Sequence, residues 1–495
     1  MNLLSATFWT SLAGAVLLCF VPKDKKTFIR VIALTAGLIC LILSLVAYFR
    51  YDQEAGGLQF VLKRPWIPEI GASFHVGADG INLPLVLLTG FIMFTGILIA
   101  WNVEDRTKEF FILFLILVAG VFGVFVSMDL FLLFVFYELA VLPMYLLVGV
   151  WGSTRKEYGA MKLTLYLLVG SAILFIGILA LYVESGMQTF DLIELSHAHF
   201  QRNFQILVFP LVFVGFGVLA GLWPLHTWSP TGHVAAPTSV SMLHAGVLMK
   251  LGAYGCLRVA MVLFPEGAQF WLPWIAILAT VNIVYGSMVA MVQQDFKFVI
   301  GYSSVSHMGF VMLGLASMND VGISGAVLQM FSHGIMTGLF FAVVGRMVYD
   351  RTHTRDLNAL GGLSESLPFA AFCFVVGGFA SMGLPGLSGF VAELQILIGT
   401  WRAYPLLAAL TGIAIVVTAA YILRVIHNVF YKETSSNFHH LTPITGLEKL
   451  AGILLVANLI LIGLYPSIMM NLIHSSVEPL VRTLFPVGIG LKASL

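Results

Sequence analysis

The stretch Trp223–Lys250, WPLHTWSPTGHVAAPTSVSMLHAGVLMK, sets three prolines, three histidines and a lysine between two strongly apolar segments. Pro224, Pro230 and Pro237 each lack a backbone N–H, and each disfavours helix in the residue before it. No continuous helix can cross this region. In hydrocarbon an unpaired backbone group costs several kcal/mol and is tolerated only where protein or water covers it. A polar, proline-broken segment between apolar runs is therefore expected to line a hydrated path for an ion. Lys250 follows Pro237 by thirteen residues, roughly 20 Å of helix at 1.5 Å per residue, which puts an amine near mid-membrane.

Composition fixes the setting. Of 495 residues, 59% are hydrophobic and 10% charged, with a mean hydropathy of +0.97, whereas soluble domains are about a quarter charged. Apolar runs of about 20 residues recur, the length a helix needs to span a bilayer and too long for the alternating strands of a barrel. The fold class expected is an all-α integral membrane protein. A net charge of +1 gives no reason to expect a nucleic-acid partner.

Fourteen transmembrane helices are expected, at about 3–21, 30–49, 80–100, 109–127, 130–150, 161–183, 206–224, 236–258, 269–291, 299–317, 323–347, 368–400 (broken), 403–430 and 446–470. If the loop with Lys23, Lys25, Lys26 and Arg30 is cytoplasmic, sixteen of the 25 Lys and Arg residues fall on that side, Lys297 among them, and eight on the other, including Lys492. The positive-inside rule then places both termini on the non-cytoplasmic side of a cell inner (plasma) membrane. The N-terminal apolar run lacks a basic n-region and a cleavage site, so it is read as a retained first helix. Polar interruptions at Arg50–Asp79 and Glu184–Arg202 fall on the outer side, and the first has the alternation of a small hairpin.

A second break, SMGLPGLSGFVAEL at Ser381–Leu394, follows Lys250 by roughly 130 residues and interrupts an apolar run with Gly383, Pro385, Gly386 and Gly389. Paired discontinuous helices are the sequence sign of inverted repeats around a midplane ion site. Helices seven, eight and twelve are expected to be interrupted, and helices four to eight to superpose on nine to thirteen after inversion. The division is residues 1–108 (helices one to three), 109–258 and 259–432 (two inverted five-helix repeats), and 433–495 (helix fourteen and tail).

Ionisable residues inside the apolar runs mark the candidate site. Glu138 stands nine residues past Asp129, about 13 Å along a helix, where a carboxylate is either neutral or paired with a cation. Lys162 begins the next helix, as partner or as a snorkelling helix-end lysine. His307 and His333 lie in consecutive apolar helices, where a histidine is either a hydrogen-bonded core residue or a proton relay. His226 and His233 flank the first break without a Cys or carboxylate cluster, so a metal is not expected. Cys19, Cys40, Cys256 and Cys373 show no spacing for an iron–sulfur cluster or covalent haem. GFGVLAG at Gly215–Gly221 follows no strand and is read as close helix packing, not a nucleotide loop.

Four motifs carry a resemblance: HTW at His226–Trp228, AAPTSVSMLHAGVLMKLGAYG at Ala235–Gly255, QQDFKFVIGYSSVSHMGF at Gln293–Phe310 and GLPGLSGFVAEL at Gly383–Leu394. Together and in this order they resemble the antiporter-like proton-translocating subunits of respiratory complex I, over about Gly80–Lys432. Glu393 after the second break, where L- and N-type subunits and many Mrp-type subunits generally have lysine, makes the likeness strongest to the M-type (chain 4) branch.

The resemblance implies that Glu138 is the carboxylate of the first channel, Lys250 the central lysine, His307 and His333 the connecting relay, and Glu393 the terminal carboxylate of the second channel. It implies no redox cofactor in this chain, with NADH, FMN, iron–sulfur clusters and quinone in partner subunits. The partners implied are L-like and N-like membrane-arm subunits, with membrane lipid and protons. The sequence departs from the family at Leu219, where a lysine is usual, at Ser229–Gly232, where SPTG replaces LPDA, and at His244, usually aliphatic. His244, with His226, is the possible substitute relay, and one of Lys162, Lys250 or His244 is expected to approach Glu138 directly or through water. The equivalent subunit of a membrane-bound hydrogenase or an Mrp-type Na+/H+ antiporter is the alternative within the class, and a non-pumping membrane scaffold the alternative outside it.

Overall fold

The structure, a computed structural model, describes residues 2–433, 438 and 440–485; Lys492, counted above on the outer side, lies outside the described residues. Twelve helices among the described residues are long and apolar enough to cross a membrane, and Leu3–Cys19 and Pro368–Ser381 are shorter apolar helices. Burial sorts them. Leu83–Asn102 is 94% buried and Thr238–Met261 and Asp320–Thr352 are fully buried over their apolar windows, whereas Pro405–Tyr431 is 33% buried. The three buried helices form the central axis, and the more exposed ones present Leu, Ile and Val outward, as a lipid-facing or partner-facing surface requires.

Both breaks expected from the prolines are present. The helix Arg202–Ala220 ends at Gly221, whose φ of +77° suits a residue without Cβ. An irregular stretch holding the cis Trp223–Pro224 bond leads to the short helix Trp228–Ala235, and the chain breaks again at Ala236–Pro237. Carbonyls freed by these breaks find donors: Trp228 Nε1 donates to Val218 O at 2.8 Å and Asn282 Nδ2 to Gly221 O at 3.3 Å. The second break separates Pro368–Ser381 from Ser388–Ala403, with positive φ at Gly383 and Gly386.

The eighth helix departs from expectation. Beyond Pro237 it is not cut; its hydrogen-bond ladder widens to π geometry at His244–Leu248 and again at Cys256–Met261. A π turn redirects side chains without the loss of backbone bonding that an open break would bring, and proline, the only signal the sequence offers for interruption, is absent from Thr238 to Met261.

The hairpin expected between Arg50 and Asp79 forms from antiparallel strands β1 (Gln59–Ile67) and β2 (Ala72–Ala78). It is tied down by Asp129, which caps the Glu138 helix through Phe131 N and Leu132 N with one oxygen and accepts from Ser73 N and Oγ with the other. An unexpected helix, Ser467–Leu484, follows Pro466 and packs on the buried Asp320–Phe341 helix.

Candidate functional site

Lys250 is fully buried, two residues past the first π segment. Its Nζ lies 2.9 Å from His333 Nδ1 and also donates to the Ala245 carbonyl. His333 in turn faces His307, ring centroids 5.2 Å apart and planes at 34°. His307 Nδ1 is 3.1 Å from Glu393 Oε1, and its Nε2 is 3.0 Å from Ser381 Oγ. Four of the residues singled out in the sequence therefore form one row, Lys250, His333, His307 and Glu393, through the middle of the helices.

The second break builds the far end of that row. Ser381 is the last residue of the first half-helix, and Glu393 lies in the second turn of the other half. Gly383 sits in the irregular link, where a Cβ would meet Glu393 Oε2 at 3.1 Å, so its bare backbone leaves room for the carboxylate. Gln329 donates to Glu393 Oε1 at 3.2 Å. Sequence reading missed Gln329, because a glutamine in an apolar helix gives no titration signal; its spacing of four residues before His333 places it on the same helix face.

The first half is assembled differently. Glu138 is half-buried, and its Oε1 has no hydrogen-bond partner. No Lys, Arg or His nitrogen among the described residues lies within 4.0 Å of its carboxylate, so of the two approaches expected, direct or through water, the direct one is not made. Each expected partner is engaged elsewhere: Lys162 donates to Thr231 Oγ1 at 3.4 Å and lies over the Tyr158 ring, Lys250 meets His333, and His244 stacks on Trp228. The physical reason lies in helix register. Glu138 shares its stripe with Val135, Leu142 and Tyr145, all exposed, so its helix face borders the outside of the bundle although Oε1 itself is buried. His226 is buried edge-on to Tyr285 at 5.1 Å, and neither ring nitrogen is hydrogen-bonded.

Lys297, placed by charge counting in a cytoplasmic loop, is buried in the first turn of the helix Phe296–Ala316. It donates to Ala236 O at 2.7 Å and Val234 O at 3.3 Å, carbonyls that the Pro237 break leaves without helical partners. A cavity of about 190 Å³ reaches this point, lined in part by Ala236, Pro237, Ser239, Lys297, Arg346 and Asp350. No group of three or more His, Cys, Asp or Glu side chains that could hold a metal ion occurs among the described residues. The four cysteines are free, Cys19 exposed and the others buried.

A multi-pass membrane helix bundle with two broken helices and a buried row of ionisable side chains between them defines a class of membrane protein before any comparison. The comparisons place it further. Residues 127–419 match the family described as NADH:quinone oxidoreductase/Mrp antiporter, transmembrane. The chain is 38% identical to the NADH-quinone oxidoreductase subunit M of Rhodobacter capsulatus, over 97% of this chain and 96% of that one. It is 40% identical to NAD(P)H-quinone oxidoreductase chain 4 2 of Microcystis aeruginosa, over 88% and 80%. A chain in the structure of respiratory complex I from Thermus thermophilus with bound NADH superposes with a TM-score of 0.90 at 29% identity, covering 97% of this chain and 99% of that one. The chain belongs to the NADH:quinone oxidoreductase/Mrp antiporter membrane family, and its resemblance to the M-type (chain 4) branch holds over nearly its whole length.

Proposed function

We propose that this chain is a proton-translocating membrane-arm subunit of an NADH:quinone oxidoreductase, moving protons while quinone is reduced in other subunits of the same complex. The observation that carries this reading is the contact of Lys250 Nζ with His333 Nδ1, at the head of a row that ends on Glu393. A lysine donor, two imidazoles that both accept and give a proton, and a carboxylate acceptor are a chemically complete relay.

The roles follow from position. Lys250 holds the central proton and hands it to His333, the group its Nζ contacts. His333 takes that proton and His307 passes it on to Glu393, which releases it on the outer side. Glu138 and Lys162 serve the first half, where Glu138 at the bundle edge exchanges protons with the neighbouring subunit's side of the membrane. The cavity at Lys297 is the cytoplasmic approach. Residues 109–258 and 259–432 act as two inverted repeats with one break each, flanked by 1–108 and 433–495. The partners are L-like and N-like membrane-arm subunits, NADH, FMN, iron–sulfur clusters and quinone are bound in other subunits, and the chain lies in the plasma membrane with both termini outside the cytoplasm.

The experiment that tests the assignment is copurification of the tagged chain from solubilised membranes, followed by quinone-reduction and proton-flux assays on what copurifies. Companion subunits with quinone reductase activity support it. Copurification with hydrogenase or Mrp subunits, or a complex that reduces quinone at full rate while Lys250→Ala and Glu393→Gln both move protons normally, would overturn it.

A further inference from the structure

The helix Ser467–Leu484 has no part in the relay above, yet it covers the end of the bundle toward which the relay runs. It follows Gly446–Leu464, whose first turn is bound through Glu448 to Arg346 and Arg351 on the side proposed as cytoplasmic, so it lies at the opposite, outer end. Hydrogen bonds fasten it there: Gly80 N donates to Ser476 Oγ at 2.7 Å, and Tyr48 Oη donates to the Ile468 carbonyl. Its Met470, Leu472, Ile473 and Val477 are buried, the apolar face of an amphipathic helix.

One polar side chain of this helix reaches back into the bundle. His474 is 36% exposed, and its Nδ1 is 3.3 Å from Ser324 Oγ. Ser324 is fully buried and lies on Asp320–Phe341, the helix of Gln329 and His333. A hydroxyl inside a helix commonly donates to the carbonyl four residues back, as Ser304 does to Ile300 and Thr337 to His333. That of Ser324 pairs with a ring on another helix. The same Nδ1 stands 3.9 Å from Glu478 Oε1, on a carboxylate 46% exposed.

Gln395 occupies the interval between Glu393 and this ring. It lies two residues beyond Glu393 on the half-helix Ser388–Ala403, which abuts the residue after Ser324: a Cβ on Gly325 would meet Gln395 Cβ at 2.9 Å. Gln395 Nε2 is 3.5 Å from the sulfur of Met470, one turn before His474. Its Oε1 is buried without a hydrogen-bond partner, and a buried carbonyl left bare loses its solvation without return. A water molecule donating to that oxygen recovers the loss.

We propose that His474 is the outward port of the second channel, taking up through water the proton that Glu393 releases and giving it to the outer medium, with Gln395 Oε1 lining the passage and Ser324 holding the ring. The role rests on the proton-translocating reading above. In the step, the O–H bond of the Glu393 carboxylic acid breaks, water carries the proton past Gln395, and an N–H bond forms on the neutral imidazole. The imidazolium then loses a proton to outer water; one proton moves and no electron does. Imidazole is the side chain that exchanges protons with water near neutral pH, and this one bridges a buried hydroxyl and the surface.

The test measures quinone reduction by membrane vesicles containing the intact complex, with an uncoupler present so that no gradient builds. Each variant is assayed with and without added imidazole, which crosses lipid as the neutral base and can stand in for a missing ring. His474→Ala is expected to slow turnover by at least about tenfold and to regain rate as imidazole is added. His474→Gln, which keeps a hydrogen bond to Ser324, is expected to be as slow and gives the reading should the alanine variant fail to assemble. Wild-type turnover in either variant, or a slow His474→Ala that imidazole does not restore, would overturn the port and leave His474 a surface residue. Glu393→Gln is measured alongside. If it is slow while His474→Ala is normal, only the port fails; if it too runs at the wild-type rate, the relay itself fails.

Discussion

Lys250 Nζ and His333 Nδ1 lie 2.9 Å apart although 83 residues separate them in the chain and both are fully buried. The contact joins the first break to the second. Lys250 is placed by the π-widened helix after Pro237, and His333 faces His307, which touches Ser381 and Glu393 at the second break. Proton movement through such a row requires each member to change partner, so substitutions along it separate by whether they keep a titratable group.

Glu393→Gln is expected to lower proton-linked quinone reduction by at least about tenfold, while Glu393→Asp retains part of it. Glutamine still hydrogen-bonds Gln329 and His307 but cannot take up a proton at neutral pH; aspartate can, with a shorter reach. Steady-state quinone reduction and vesicle acidification measure both. Equal rates for Gln and wild type would make Glu393 structural.

Glu138→Gln is expected to leave stability within about 0.5 kcal/mol of wild type, since no cation stands within 4.0 Å to be stranded by loss of the charge. Proton translocation should fall all the same. Thermal unfolding of the detergent-solubilised complex, set beside its pumping rate, checks the separation, and a large loss of stability would reveal a partner for Glu138.

Gly232→Ala is expected to destabilise by about 1–3 kcal/mol through overpacking, because the new methyl would stand 2.9 Å from Leu163 Cδ1 and 3.0 Å from His244 Cε1. Adding His244→Ala removes the second clash and should restore part of the loss. Melting curves of the single and double variants decide it; identical losses would show that Leu163 alone sets the limit.

On the hairpin side, Asp191 accepts from His75 Nδ1 and Lys63 Nζ, each at 2.7 Å. Burial by itself raises its carboxyl, and the bonds from His75 and Lys63 outweigh that, holding it well below the usual carboxylate range. A depressed folded value means that the stabilisation is complete above the unfolded pKa of about 3.9 and fades only as pH falls through the folded value. Asp191→Asn should therefore cost about 2 kcal/mol at pH 7 and nearly as much at pH 5. A difference between variant and wild type that disappears by pH 5 would contradict this.

How legible the molecule was depends on the kind of signal. Proline and apolar runs gave the breaks and the helices, because a missing N–H and a bilayer's thickness act locally. The row Lys250, His333, His307 and Glu393 was visible as ionisable residues in apolar runs, a costly placement that calls for a reason. The π segments were not visible, since a one-residue change in ladder leaves no mark in composition. Lys297 was misplaced because counting charges assigns a lysine at a helix start to water, whereas its amine is held by carbonyls from a break 60 residues earlier in the chain. The helix Ser467–Leu484 was missed for a related reason: it carries polar residues such as Asn471, His474 and Glu478 along an otherwise apolar sequence and falls short of a spanning pattern.

The most direct test of the relay is proton flux into vesicles reconstituted with the intact complex, comparing wild type with Lys250→Ala during quinone reduction. Alanine removes the only group in the row that His333 Nδ1 contacts on that side, so flux should drop by at least about tenfold, and quinone reduction should fall with it. Wild-type flux from a fully assembled Lys250→Ala complex would contradict the account.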